Sequence, residues 1–112
     1  MNAEKRKEVY QKYHERCAYC GKSITFTEMQ VDHIVPKRIG GTDEIENLNP
    51  SCRRCNHYKR ANNLETFRAL LVTLHERIGK IYIVKVAVDY RLVTVQPFDG
   101  EFYFERLRRE GI

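Results

Sequence analysis

The sequence predicts an α+β fold in which a metal site holds a small core together, and three features support this prediction. Two Cys-x-x-Cys pairs, Cys17/Cys20 and Cys52/Cys55, have the spacing of metal ligands. Apolar residues within 64–78 recur at steps of three and four, which is typical of an amphipathic helix. Three later runs, rich in β-branched and aromatic residues, predict strands.

The composition is that of a folded domain. Of the 112 residues, 31% are charged and 42% hydrophobic, which excludes a disordered chain. No apolar run approaches the roughly 20 residues of a membrane helix, and the first residues lack the apolar centre of a signal peptide. We therefore expect a cytoplasmic protein with no membrane partner, forming a single domain over residues 1–112.

The charge favours a polyanionic partner. The net charge is +5, from 20 Lys and Arg against 15 Asp and Glu. The excess lies in residues 1–60, which hold 12 basic and 8 acidic residues and all four cysteines. Such a bias is expected where a protein faces phosphates, although a mildly basic solvated surface produces it too.

The first half contains short elements. We predict a helix over residues 3–16, a strand over 29–35, a second strand over 48–51 and a helix over 52–61. Pro36 ends the first strand, and a polar loop containing Gly40 and Gly41 follows it. The last segment holds neither Gly nor Pro, so it can be helical.

The second half, residues 62–112, is predicted to be a helix followed by an antiparallel β-meander. The helix covers residues 64–78. The three strands of the meander are residues 81–88, 92–96 and 101–105. An Asp99-Gly100 turn separates the last two strands.

The four cysteines are predicted to bind one structural Zn²⁺. A Cys-x-x-Cys pair lets two thiolates reach one ion, and two pairs complete its tetrahedral shell. The 31 residues between Cys20 and Cys52 must fold back so that the pairs can meet. With four protein ligands the ion has no open position, so it is not catalytic. Two disulfides are the alternative, which a reducing compartment disfavours.

An ordered set of motifs accompanies the cysteines. It consists of C-x-x-C, D-H-I-x-P, G-G, N-L and C-x-x-C-N-x-x-K, over residues 17–59. This set resembles the HNH endonuclease family, which has a ββα-metal fold and is frequent in phages and mobile elements. The resemblance implies a zinc-containing ββα-metal core over residues 17–60, flanked by helices and the meander.

The resemblance also implies metal-dependent hydrolysis of DNA phosphodiester bonds. His33 matches the general base that activates water, and imidazole titrates near neutral pH. Asp32 matches a ligand of the catalytic divalent ion, Mg²⁺ or Mn²⁺, which prefers oxygen ligands. Asn47 matches the residue that orients the histidine, although a turn asparagine is an alternative explanation.

The third motif position departs from the family name, because Asn56 stands where a histidine gives the family its final letter. This makes the chain an HNN variant. His57 follows directly, and on a helix the two side chains project about 100° apart. Asn56 shares a face with Lys59 and Arg60, so we favour Asn56 over His57 as the second ligand of the catalytic ion.

Basic residues surround the motifs and are predicted to contact nucleic-acid phosphates. They are Lys59, Arg60, Arg53, Arg54, Lys37 and Arg38. No base-reading element is evident, so we expect little sequence specificity. The alternative functions are a non-catalytic zinc-containing nucleic-acid-binding module and a structural or assembly protein. The oligomeric state is not specified by the sequence.

Overall fold

The computed structural model describes residues 1–111. The helices and strands are, in chain order, α1 (Ala3–Gln11), β1 (Gln30–His33), β2 (Leu48–Ser51), α2 (Arg53–Lys59), α3 (Leu64–Gly79), α4 (Tyr82–Asp89) and α5 (Tyr103–Glu110). No helix in the described part is long and apolar enough to cross a membrane. The chain divides into two compact units, one of Met1–Leu64 with the segment that starts at Phe102, and one of Glu65–Glu101. That the chain acts as a single domain stays a prediction.

The first unit contains a β-hairpin with a helix packed on it. Strands β1 and β2 are antiparallel, with Asp32 opposite Asn49 and His33 opposite Leu48. Helix α2 packs against β1, and α1 packs against β2. This confirms the mixed helix-and-hairpin architecture predicted for the core.

The core of the first unit is largely aromatic where the final helix meets the first cysteine pair. The rings of Phe102 and Phe104 lie edge-on to Tyr19, with centroid distances of 5.3 and 5.9 Å. The backbone N–H of Phe104 donates to the carbonyl of Ala18 at 2.8 Å, and that of Tyr103 donates to the carbonyl of Tyr19 at 3.1 Å. The segment between the cysteines is therefore fixed by residues more than 80 positions later in the sequence.

Helix α1 ends at Gln11 rather than at residue 16 as predicted. His14 and Glu15 adopt positive φ angles of 59° and 61°, a conformation that a right-handed helix cannot contain. The chain reverses there and leads into the first cysteine pair.

The predicted β-meander is wrong. Residues 81–88, predicted to be a strand, lie almost entirely in helix α4. The β-branched residues of this run favour a strand only where a partner strand takes up the backbone groups, and a helix satisfies its own. Residues 92–96 are not a strand either, because the N–H groups of Leu92 and Val93 turn back to the carbonyl of Ala87, at 2.8 and 3.4 Å.

The third predicted strand, residues 101–105, is instead the beginning of α5. The carboxylate of Glu105 accepts a hydrogen bond from the backbone N–H of Phe102 at 2.9 Å, which is half of a helix-capping arrangement. Phe104 and Leu107 lie on the buried face of the helix. The aromatic residues that suggested a strand therefore belong to a helix start with one apolar face.

Candidate functional site

The four cysteines gather in one place as predicted. Their sulfur atoms all lie within 4.8 Å of one another, and Cys20 Sγ is 3.9 Å from Cys52 Sγ. A tetrahedral ion with Zn–S bonds of about 2.3 Å places its sulfurs about 3.8 Å apart. All four cysteines are free thiols. The cluster thus fits a single metal ion, and zinc is the ion that its ligand chemistry favours.

Backbone hydrogen bonds hold the thiols in position. Residues 17–22, which we call the knuckle, close a turn in which the N–H of Cys17 donates to the carbonyl of Lys22 at 2.9 Å. The N–H of Ala18 donates to the carbonyl of Pro50 at 2.8 Å, which joins the knuckle to β2. Cys52 caps α2, since its sulfur accepts a hydrogen bond from the N–H of Cys55 at 3.3 Å.

The proximity of the thiols itself favours a cation. Hydrogen bonds from Cys20 and Cys55 stabilise the thiolate of Cys17 and lower its pKa. The contact with Cys17 in turn raises the pKa of Cys20 to about 11. The cluster by itself therefore stabilises the thiolate of Cys17 and opposes ionisation of Cys20 and Cys55, and a bound cation removes that opposition.

Asp32 and His33 point to opposite sides of β1, as alternation along a strand requires. The Asp32 side chain is buried at 5% exposure, whereas the His33 side chain is 28% exposed. The two candidate catalytic groups are adjacent in sequence but occupy different environments.

The Asp32 carboxylate is held by two buried donors. Tyr19 donates its hydroxyl to Oδ2 at 2.5 Å, and Lys59 Nζ lies 3.1 Å from the same oxygen. Among the described residues, the other oxygen, Oδ1, has only a longer contact of 3.4 Å with Lys59 Nζ. Burial raises the pKa of Asp32, and the hydrogen bonds from Tyr19 and Lys59 offset part of that rise.

His33 lies beside a carboxylate that the sequence analysis did not select. Its Nε2 is 2.8 Å from Asp43 Oδ1, and Lys37 Nζ donates to Asp43 Oδ2 at 3.0 Å. These two hydrogen bonds lower the pKa of Asp43 to about 2. Asp43 is therefore ionised at neutral pH and can accept a hydrogen bond from a protonated Nε2. This hydrogen bond favours the tautomer of His33 that carries its proton on Nε2.

Asn47 connects the loop that carries Asp43 to the end of β1. Its Oδ1 accepts from the N–H of Val35 at 2.9 Å, and its Nδ2 donates to the carbonyls of Val35 and Thr42 at 3.0 and 2.8 Å. Gly41 is required in this loop, since a Cβ there would lie 1.7 Å from the Val35 carbonyl oxygen. That Asn47 orients His33 in catalysis stays a prediction.

Comparisons with known proteins point in one direction. Residues 17–71 match a family model described as HNH endonuclease. Residues 17–71 belong to the HNH endonuclease family. This segment contains the cysteines, the hairpin and α2.

Two relatives of the HNH segment are parts of much larger proteins. A CRISPR-associated endonuclease Cas9 of Corynebacterium diphtheriae is 51% identical over 45 residues, which are 39% of this chain and 4% of the relative. The crystal structure of the type II-C Cas9 enzyme from Actinomyces naeslundii superimposes with a TM-score of 0.53 at 30% identity. That match covers 58% of this chain and 8% of the Cas9 chain.

The structure separates the two candidates for the third HNH motif position. Asn56 is half-buried and lies one helical turn before Lys59, whose ammonium contacts Asp32. His57 is exposed and lines a groove with Arg53 and Arg54. The two side chains thus differ in their surroundings, and the choice of Asn56 as the second ligand stays a prediction.

The predicted phosphate contacts differ in their surroundings. Arg53, Arg54 and Arg60 are exposed. Arg38 Nε donates to the carbonyl of Ala61 at 3.0 Å, and Lys37 is paired with Asp43 as described above.

Lys59 is the exception, because its side chain is fully buried. Besides Asp32, its Nζ donates to the carbonyls of His33 and Asn62, at 3.0 and 2.8 Å. This placement argues against direct contact with phosphate. It indicates that Lys59 ties α2 to β1 and holds the carboxylate of Asp32.

Three residues of this HNH site were missed by the sequence analysis, and each is tied to a motif residue. They are Tyr19, which binds Asp32; Asn49, whose Nδ2 lies 3.4 Å from the Tyr19 hydroxyl; and Asp43, which binds His33. Tyr19 could have been selected from the sequence because it lies between two candidate metal ligands, where it is expected to be buried. The hydroxyl of a buried tyrosine requires a hydrogen-bond partner. Asn49 is the register partner of Asp32, which a correct hairpin alignment identifies.

Replacing Tyr19 by phenylalanine is expected to destabilise the metal-loaded protein by about 1.5–3 kcal/mol, because a buried carboxylate loses a donor. Urea unfolding measures this free energy. Tyr82→Phe is the matched control, since Tyr82 is 81% exposed and its loss of a hydroxyl should cost little. Equal midpoints for the two variants would show that the Tyr19 hydroxyl contributes nothing to the Asp32 site.

Proposed function

We propose that this protein is a metal-dependent endonuclease that hydrolyses DNA phosphodiester bonds. The observation that carries the proposal is the pair of differently held groups on β1: a buried carboxylate, Asp32, and a partly exposed imidazole, His33, paired with an ionised carboxylate. Membership of residues 17–71 in the HNH endonuclease family supports it. The Cas9 relatives, both endonucleases or enzymes by description, support it as well.

In the proposed reaction His33 is the general base. With Nε2 protonated and donating to Asp43, the lone pair of Nδ1 is the one available to accept a proton. Nδ1 has no hydrogen-bond partner among residues 1–111. Water transfers a proton to Nδ1 while its oxygen bonds to phosphorus, one P–O ester bond breaks, and the leaving oxygen takes a proton from solvent.

The divalent ion required by this chemistry fits the oxygen atoms offered by Asp32 and Asn56. Within residues 1–111, Oδ1 of Asp32 has only its 3.4 Å contact with Lys59, so we assign the ion to this carboxylate oxygen. Mg²⁺ and Mn²⁺ prefer such oxygen donors and retain waters, which suits a site with two protein ligands. When bound, the ion would neutralise charge that develops on the scissile phosphate. Tyr19 and Lys59 orient the carboxylate through its other oxygen.

Relaxation of supercoiled plasmid in the presence and absence of Mg²⁺ tests the proposal. We expect nicked or linear product only with Mg²⁺ or Mn²⁺, from protein that carries zinc. DNA binding without any metal-dependent cleavage would favour the non-catalytic zinc module instead. The absence of both binding and cleavage would favour a structural protein.

The ligand assignment has its own test, because Asn56 and His57 are neighbours with different surroundings. Asn56→Ala should raise the Mg²⁺ concentration needed for half-maximal cleavage by at least about tenfold. His57→Ala should leave that Mg²⁺ requirement within about twofold, since its ring faces the groove. The reverse pattern would assign the metal to His57.

A further inference from the structure

A groove of about 610 Å³ lies between the segment 22–30 and α2, separate from the proposed catalytic groups. The residues of its wall that bear on its chemistry are Lys22, Glu28, Cys52, Arg53, Arg54 and His57. Asp32, His33 and Asn56 do not line it. The groove is therefore a second polar surface of the same unit.

The groove carries a net positive charge. Lys22, Arg53 and Arg54 contribute three positive charges and Glu28 one negative charge, so the sum is +2 with His57 neutral. Glu28 accepts a hydrogen bond from the Thr25 hydroxyl at 2.8 Å. The wall thus attracts anions even with its one carboxylate ionised.

The three cations are not used inside the protein. Within residues 1–111, the side chains of Lys22, Arg53 and Arg54 have neither an ion pair nor a hydrogen bond. Several other basic residues of this unit, among them Arg6, Lys12 and Arg38, do have internal partners. Lys12 Nζ donates to the carbonyls of Ile45 and Leu48, at 2.9 and 2.6 Å, so the contrast marks the groove cations as available to a ligand.

We propose that this groove binds the sugar-phosphate backbone of DNA at a distance from the cleaved bond. The inference rests on the proposed function, because it takes the nuclease substrate as the ligand. Guanidinium groups pair with phosphate oxygens through two parallel hydrogen bonds, and such contacts position DNA without reading its sequence. The groove accordingly contributes salt-dependent affinity, and His33 contributes the chemistry.

A competing explanation comes from the metal site. Four thiolates and one Zn²⁺ carry a net charge of about −2, and Cys52 belongs to the same wall. Lys22, Arg53 and Arg54 could serve only to neutralise that charge. The two explanations differ in what the arginines control, either DNA affinity or zinc retention.

The salt dependence of DNA binding decides between them. Binding of a fluorescent DNA duplex by the full-length, zinc-loaded protein is measured by anisotropy without Mg²⁺, between about 50 and 200 mM salt. The double variant Arg53→Ala/Arg54→Ala should reduce the slope of log affinity against log salt by about 1.8, which is about 0.9 for each lost phosphate contact. The control Lys7→Ala/Lys85→Ala loses the same charge at two exposed positions outside the groove and should change the slope far less.

Zinc content is measured on every variant. Equal slopes for the double variant and the control would overturn the proposal, and so would zinc loss with an unchanged slope. Where the double variant loses zinc and its slope falls as well, Lys22→Ala replaces it, with an expected reduction of about 0.9. Plasmid cleavage is measured separately. A wild-type protein that binds DNA through the groove but cleaves none would refute the nuclease proposal and would still support the groove proposal.

Discussion

Removal of the metal from the four thiols is expected to unfold the first unit. The four clustered cysteines lie where three segments meet: the knuckle, β2 and the start of α5. Apparent zinc affinities of such sites are worth about 10–16 kcal/mol, whereas a whole small domain is stable by about 5–15 kcal/mol. Chelation should therefore abolish the cooperative thermal transition of this unit and the near-ultraviolet circular dichroism of its buried tyrosines.

Two further measurements make this result specific. Adding Zn²⁺ back should restore the signal, and Mg²⁺ should not, because it prefers oxygen over sulfur ligands. Cys17→Ser should mimic chelation, since Cys17 is fully buried and lies in the knuckle. A chelated protein that keeps its cooperative transition would show that the thiols are not part of the folding core.

The elements that were predicted correctly depend on short-range chemistry. The cysteine pairs were informative because metal ligands follow strict spacing, and two Cys-x-x-Cys motifs supply the four ligands that one ion needs. Asp32 and His33 differ in burial because they are neighbours on a strand, where successive side chains point to opposite sides. Helix α3 covers residues 64–79, close to the 64–78 expected from its apolar spacing.

The features that escaped prediction depend on tertiary contacts. Lys59 stands in a run of basic residues, so its sequence context suggested a phosphate contact, and only the packing of α2 on β1 shows that its ammonium is enclosed. Residues 81–88 have strong β-propensity, yet that preference is decided by neighbours and not by the backbone. No partner strand accompanies them within residues 1–111, and they form a helix.

Asp43 shows a different limit. It occupies a polar loop after Gly40 and Gly41, where aspartate is common as a turn residue. Its pairing with His33 depends on the path of that loop, which is set by the side chain of Asn47 and the close approach of Gly41 to Val35. The motif residues could be named from the sequence, but the carboxylate that pairs with His33 could not.

Replacing His33 by alanine is expected to lower the rate of Mg²⁺-dependent cleavage by about 10²–10⁴-fold, the usual contribution of a general base. Single-turnover cleavage of supercoiled plasmid at saturating protein measures this rate. DNA affinity should stay within about twofold, because the positive charges that attract phosphate are retained. Full-rate cleavage by this variant would refute the assignment of the base.

Asp43→Ala tests whether the hydrogen bond to Asp43 holds the proposed base, His33, in place. Because Asp43 is 58% exposed, water can replace part of its hydrogen bond to Nε2. The rate should therefore fall by about tenfold, far less than the roughly 10⁴-fold loss seen for a buried orienting carboxylate. The ¹⁵N shifts of the His33 ring should at the same time show a mixture of tautomers in place of one, while Asp99→Ala, at an aspartate of the other unit, leaves them unchanged. An unaltered tautomer in Asp43→Ala would mean that the pairing with His33 does not set the state of the base, and the role proposed for this carboxylate would fall while that of His33 stands.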